Sequence, residues 1–246
     1  ARCIGYLVED WQDRLMAHPI VRNIRALIKE PDYWGWVDSG SGFSMYLGGN
    51  DCGIALRLKA GQAYEPQSRL LWRSLSKGAE MVIDVGAHTG VYTLDAWTAG
   101  AKEVLSFEPY HMNYARLLLN LRYAGFSTMH STLFAISDKD ALRILHVAAP
   151  TFYCSAGATL EKMDSDEIGY FPVNVRTLDT LLPPVYDDKV AVVKIDTESH
   201  GVKVLRGMQR ILQAKPDLIL ECIEPGMGEI LKPLGYSFYK IIESGE

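Results

Sequence analysis

No stretch of this 246-residue chain approaches the roughly twenty consecutive apolar residues of a membrane-spanning helix, and no charged-then-apolar leader opens it. The sequence reads as that of a soluble protein. Cysteine is scarce: Cys3, Cys52, Cys154 and Cys222 stand far apart with no Cys-x-x-Cys pair, which argues against structural zinc and for reduced thiols in a cytoplasmic protein. A dense basic block is also missing. Lys and Arg number 25 against 30 Asp and Glu, for a formal charge of -5, so strong sequence-independent binding to nucleic acid is not expected. No internal repeat or low-complexity tract is visible. The chain opens on Ala1 rather than Met, as expected of a sequence trimmed at its ends.

What is present is enough for one large α/β domain with a decorated end. Apolar residues at helical spacing between Trp11 and Glu30, interrupted at Pro19, predict two short helices. Phe43–Leu47 and Ile54–Leu58 flank the turn-rich stretch 48–53 and predict a β-hairpin. Pro66 starts a helix running to about Ser76. From Met81 onward, strand and helix patterns alternate, which implies a parallel sheet. Strands are expected at Met81–Asp84, Glu103–Phe107, Met129–Ala135, Val190–Ile195, Leu218–Cys222 and Tyr236–Ile242. Helices are expected near Val91–Ala99, Met112–Tyr123, Gly201–Gln213 and Met227–Leu234. The interval Ala141–Val175 breaks this rhythm and reads as an inserted β-ribbon with a long loop. The division is an N-terminal helical and hairpin extension over 1–62 and a ligand-binding domain over 63–246.

The segment Met81-Val-Ile-Asp-Val-Gly-Ala-His-Thr-Gly90 carries the most information. An apolar run ending in Asp84, two glycines and a helical stretch from Val91 read as strand, tight turn and helix start. Glycines let the backbone turn and approach a ligand closely, and a helix start offers free N–H groups. Asp84 argues against a diphosphate, which it would repel, and for a ligand ammonium or hydroxyl group. The loop suits an amino-acid-bearing nucleoside.

Two further elements support it. Val104-Leu-Ser-Phe-Glu108-Pro109 is an apolar strand ending in an acid about twenty residues after the glycine loop, where nucleotide-binding α/β folds place a carboxylate for two ribose hydroxyls. Lys194-Ile-Asp196-Thr-Glu198-Ser-His200 closes the strand that begins at Val190, and polar groups at such a strand end face the ligand crevice. Asp196 and Glu198 suit a general-base pair or a cation site, and His200, titrating near neutrality, suits proton transfer from an acceptor or simple surface exposure. Asp196 or Ser199 is expected to cap the helix near Gly201, Ser199 more than Asp196.

In this order and spacing, the three elements resemble the FkbM family of S-adenosylmethionine-dependent methyltransferases over about Tyr64 to Ile242. The matching pieces include Tyr64-Glu65-Pro66, Ile83-Asp-Val-Gly-Ala-His-Thr-Gly90, Phe107-Glu-Pro109, Phe134-Ala-Ile-Ser-Asp138, Thr177-Leu-Asp179, Lys194-Ile-Asp-Thr-Glu198 and Val204-Leu-Arg-Gly207. The resemblance implies a class I, Rossmann-like α/β sheet with helices on both faces. It places Glu65, Asp84, Gly86, Ala87, His88, Gly90, Glu108, Pro109, Ala135 and Asp138 around S-adenosylmethionine, with Glu108 on the ribose and the Ala135–Asp138 turn by the adenine. Lys194, Asp196, Glu198 and His200 become the candidate catalytic residues. Family members typically methylate hydroxyl groups on sugars or natural products.

Two positions depart from the family pattern. His88 stands where Asn is usual. Ser199-His200-Gly201 stands where Gly-Ala-Glu or similar is usual, which drops an acid. The family sheet also ends in a seventh, antiparallel strand; with Tyr236–Ile242 as the sixth, little sequence is left for it, so a longer natural chain is expected.

The expected activity is O-methyl transfer to a small hydroxyl-bearing molecule, with no metal: Asp196, Glu198 and Glu221 are acids a divalent ion accepts, but no spacing demands one. A nicotinamide-dependent oxidoreductase shares the glycine turn and ribose acid, though Asp84 and the Gly86-x-x-x-Gly90 spacing weigh against it. A non-catalytic scaffold retaining the pocket is the reading from another class. A nucleic-acid methyltransferase lacks support from any base-flipping motif or basic stripe. Tyr110, Tyr114, Phe152, Tyr153 and Tyr170 are the aromatics considered for stacking on an acceptor, Phe152 and Tyr153 first.

Overall fold

The computed structural model describes residues 34–48, 52–127, 130–148, 154–155, 157–162 and 168–243. The helices expected over Trp11–Glu30, together with Phe152 and Tyr153, lie outside these residues.

Strand β1 (Trp34–Asp38) pairs antiparallel with β2 (Ser44–Gly48). A hairpin exists, then, but with the upstream partner rather than the one expected: Ile54–Leu58 falls inside helix α1 (Gly53–Lys59). Five alternating residues do not discriminate strand from helix, and Ala, Leu, Arg, Leu and Lys favour the helix. Helix α2 (Pro66–Ser76) follows, with Pro66 in its first turn.

The domain then alternates as expected through β3 (Met81–Val85), α3 (Val91–Ala99), β4 (Glu103–Phe107) and α4 (His111–Tyr123). In place of one strand over 129–135 come two short ones, β5 (Ser131–Thr132) and β6 (Ala135–Ile136), because the chain changes sheets between them. The insert is a ribbon, β7 (Ala141–Ala148), β8 (Ala158–Thr159) and β9 (Ile168–Arg176), with β7 antiparallel to both others. After α5 (Leu178–Leu181) and β10 (Val190–Ile195), the helix expected over 201–213 is broken into α6 (Gly201–Arg206) and α7 (Gln209–Gln213). At the break, a Cβ on Gly207 would stand 1.8 Å from the Ser137 carbonyl oxygen, so the backbone itself packs there. Strand β11 (Asp217–Leu220) and helix α8 (Met227–Leu231) complete the order.

The main sheet runs β11-β10-β3-β4-β5, all parallel, and the second runs β6-β9-β7-β8. Alternate residues of β3 feed two cores, as the pleat requires. Val82 joins Trp72, Leu94, Leu117 and the buried Met45 and Leu47 of the hairpin. Met81, Ile83 and Val85 join Val204, Leu205, Met208 and Leu231 on the other face. Helices therefore cover both faces. A third cluster, with Tyr110, Leu145 and Val173, anchors the ribbon.

Residues 236–242 form no strand. The Tyr236 hydroxyl donates to the Pro216 carbonyl, Tyr239 is 89% exposed, and the Glu243 carboxylate accepts from Gln67 N and Ser68 N at 2.9 Å each. The segment is a strap that caps α2.

A cavity at the carboxyl ends of the central strands

A cavity of about 330 Å³ opens where β3, β4, β10 and β11 end. In open α/β sheets, this edge is where ligands bind. Its floor is the loop after β3. Gly86 N and Ala87 N donate to the Phe107 carbonyl at 2.9 and 3.0 Å, and Asp196 N donates to Val85 O at 3.0 Å. Gly86 has a φ of 83°, and a Cβ there would stand 1.7 Å from the Asp196 carbonyl oxygen. Only glycine lets the two loops close to this distance.

Glu108 is 4% exposed and is held from three sides. His88 N donates to its Oε2 at 2.8 Å, and Tyr110 N and Asn113 Nδ2 donate to Oε1 at 2.8 and 3.4 Å. Burial outweighs these donors and pushes its carboxyl up to about 7. Its two oxygens have lone pairs to spare for further donors from the cavity.

Lys194 is a buried cation whose Nζ lies 2.6 Å from Asp196 Oδ2 and 4.4 Å from the centre of the Tyr92 ring. Despite desolvation, Asp196 and Asp84 hold the Lys194 ammonium above its usual value, and Lys194 holds the Asp196 carboxyl below the ordinary range against its own burial. Glu65 closes the other side, its Oε2 accepting the Tyr92 hydroxyl at 2.5 Å. Burial pushes the His88 imidazole down to about 4, against the pull of Asp196.

The roof comes from the ribbon. Asn113 clamps Ser155 through both amide atoms, donating to its carbonyl at 2.8 Å and accepting from its N–H at 2.9 Å. Thr159 Oγ1 donates to the Glu198 carbonyl at 2.7 Å. Glu161 takes Lys203 Nζ at 2.7 Å and sits 2.6 Å from His200 Nδ1.

Of the residues singled out in the sequence, Glu65, Gly86, Ala87, His88, Glu108, Pro109, Ala135, Lys194, Asp196, Glu198 and His200 all line this one cavity. Asp84, Gly90 and Asp138 are outside its wall. Asp84 is fully buried, with Oδ2 accepting from Thr93 Oγ1 at 2.7 Å and Oδ1 unpaired. Gly90 begins α3 at φ 97°, where a Cβ would stand 2.5 Å from Leu117 Cδ1. Asp138 accepts from Ser137 Oγ at 3.1 Å.

His200 differs from the exposed histidine weighed above. It is 2% exposed, and its second ring nitrogen, Nε2, meets Ser137 Oγ at 2.9 Å, so both nitrogens already have protein partners. Ser199 does not cap α6; Glu224 does, accepting from Gly201 N at 2.7 Å. Tyr110 is buried against Phe171, the Tyr114 hydroxyl donates to Ser131 O, and Tyr170 is exposed beside His146.

Four residues of the wall and roof carry no motif: Tyr92, Asn113, Thr159 and Glu221. Only Glu221 had a legible signal, since it follows the apolar run of β11 and thus occupies a strand end. Strain gathers here too. Among the described residues, five that are not glycine have positive φ, and Glu65 (43°), His88 (50°) and Glu198 (49°) line the cavity, with Ser199 (65°) next to them.

The profile of the methyltransferase FkbM domain matches residues 84–239, well over half of the chain. The chain belongs to the FkbM methyltransferase family, and most residues lining the cavity lie within the matched segment. It is similar to a crystal structure of methyltransferase FkbM from Methylobacillus flagellatus KT, with 17% identity and a TM-score of 0.40 over 82% of this chain and 48% of that one. The chain thus spans about half the length of that relative. No protein of curated function matches it. Among the described residues, no helix is long and apolar enough to cross a membrane, and no group of three or more His, Cys, Asp and Glu side chains is arranged to hold a metal ion.

Proposed function

We propose that this methyltransferase takes its methyl group from S-adenosylmethionine and transfers it to a hydroxyl of a sugar or natural product, in the cytoplasm. The observation that carries this reading is one cavity joining a glycine floor and the buried Glu108 to the carboxylates of Glu65 and Asp196. The residues fit that donor chemically. Glu108 offers lone pairs to ribose hydroxyls, and the acidic wall suits a ligand bearing an ammonium and a sulfonium. Ala135 and Pro109 supply apolar surface beside Glu108 for a base.

Bound there, the donor supplies a methyl carbon on positively charged sulfur. The chain's own work is to align an acceptor oxygen with that carbon, exclude water and receive the hydroxyl proton. The ribbon roof covers part of the cavity, fixed by Asn113 at one end and by Thr159 and Glu161 at the other.

Calorimetry tests the reading. S-adenosylhomocysteine should bind, and Glu108→Ala should weaken it by roughly 2 to 3 kcal/mol, the worth of hydrogen bonds to a desolvated charge. Binding of NADH with none of S-adenosylhomocysteine would overturn it.

A further inference from the structure

We propose that Glu221, working as a pair with Asp196, is the general base that removes the acceptor's proton. The inference rests on the methyl-transfer reading above and deepens it.

Sheet register places the two acids together. Ile195 of β10 pairs with Leu220 of β11, and Glu221 N donates to the Ile195 carbonyl at 3.1 Å, so Asp196 and Glu221 follow side by side beyond the strand ends. Their carboxyl groups interact electrostatically, and both line the cavity. Lys194 Nζ holds Asp196 Oδ2 at 2.6 Å. Of the two, Glu221 is the more exposed and takes up a proton more readily, while Asp196 remains the anion that Lys194 stabilises.

Strand order then separates the tasks. Glu108 follows β4, Gly86 follows β3, Asp196 follows β10 and Glu221 follows β11. With strands spaced about 4.8 Å apart, Glu221 stands three spacings, or roughly 14 Å, from Glu108. A donor with its ribose on Glu108 extends toward β10, which leaves Glu221 on the acceptor side. His200 is less suited, with both ring nitrogens engaged.

Charges facing Glu221 set its basicity. Partial burial, then Asp196, then Glu198 push its carboxyl up to about 8, opposed by Lys194. Asp196 in turn faces Lys194 and His88, and Tyr64, Tyr92 and Asp84 are within its field. A base tuned this close to neutrality is matched to proton abstraction. In the step itself, the acceptor oxygen forms a bond to the methyl carbon as the carbon–sulfur bond breaks. The electron pair of that bond stays on sulfur as a thioether, and the hydroxyl proton goes to the Glu221 carboxylate. From there it leaves to solvent, to which Glu221 is exposed.

The experiment has two arms on the full chain. In the first, carboxyl carbons are followed by ¹³C NMR against pH. Glu221 should titrate well above ordinary glutamates and fall part of the way toward the ordinary range in Asp196→Asn; an ordinary titration in the wild type, or no change in Asp196→Asn, overturns the pair. In the second, methyl transfer from S-adenosylmethionine to a panel of methyl glycosides is timed. Glu221→Gln should lower kcat by about 10²- to 10⁴-fold, the usual worth of a general base, leave S-adenosylmethionine affinity unchanged and abolish the rise in rate as the pair ionises. Glu221→Asp should restore part of the rate. Retention of wild-type kcat and pH profile in Glu221→Gln overturns the proposal. Failure of the wild type to bind S-adenosylmethionine would instead overturn the methyl-donor reading, with the NMR arm still deciding the pair.

Discussion

The Glu224 carboxylate caps the helix that begins at Gly201, with Oε1 2.7 Å from Gly201 N and Oε2 3.3 Å from Val202 N. A Cβ at residue 201 would stand 2.8 Å from Glu224 Oε1 and 2.5 Å from Met227 Cε. The cap comes from the loop after β11 and leaves no room for a side chain at residue 201. Glu224→Ala should cost about 1 kcal/mol of stability, as loss of a helix cap does. Gly201→Ala should also destabilise by displacing the cap, and the double variant should cost less than the two single changes added. Urea unfolding of the three variants measures this, and strict additivity would show that the two groups are independent.

Ser199 sits at φ 65°, in the left-handed region, immediately after Glu198 at 49°. Glycine suits that backbone; a Cβ there is strained by about 1 kcal/mol or more. Ser199→Gly should therefore stabilise the fold by roughly 0.5 to 1 kcal/mol after the larger freedom of glycine in the unfolded chain is counted. A lower thermal midpoint would contradict this.

Lys194→Met should be severe. It leaves the fully buried Asp84 and the neighbouring Asp196 without their cation, and removing one partner of a buried ion pair costs about 3 to 5 kcal/mol. The unfolding midpoint in urea should fall accordingly, and the Asp84 carboxyl should rise further by NMR titration.

The imidazole of His88 carries a pH signature. Burial lowers its folded value from 6.5 to about 4, so on acidification the unfolded chain takes the proton first. Its stabilising contribution is complete above pH 7 and is lost as the pH falls from 6.5 toward 4, by at most about 3 kcal/mol. His88→Asn, which also suits the φ of 50° better, should exceed the wild type by a constant margin above pH 7 and by a growing one toward pH 4. Parallel stability curves for the two proteins would refute the assignment.

The central strands and the helix Val91–Ala99 were legible because their apolar runs end in glycines or acids at sharp boundaries. Glu108 and Asp196 were legible for the same reason, as polar residues closing such runs. Ile54–Leu58 was not, since five residues fit either period and the deciding partner, β1, lies upstream of an ordinary-looking turn. Tyr236–Ile242 has strand composition, but the Tyr236 hydroxyl donates to the Pro216 carbonyl and the Glu243 carboxylate accepts from α2, in place of pairing with a neighbouring strand. Asn113 and Thr159 were invisible for a different reason. Their roles depend on contacts with residues 42 and 39 positions away, which no local pattern encodes.

The ribbon forms its own sheet, hydrogen-bonded to none of the strands that carry the glycine loop, Glu108 or Asp196. Beside the apolar cluster with Tyr110, side-chain latches of Asn113, Thr159 and Glu161 attach it over the cavity. Roof and floor are therefore separable: substitutions in the ribbon can reshape the entrance of the cavity while the glycine loop, Glu108 and Asp196 beneath keep their geometry.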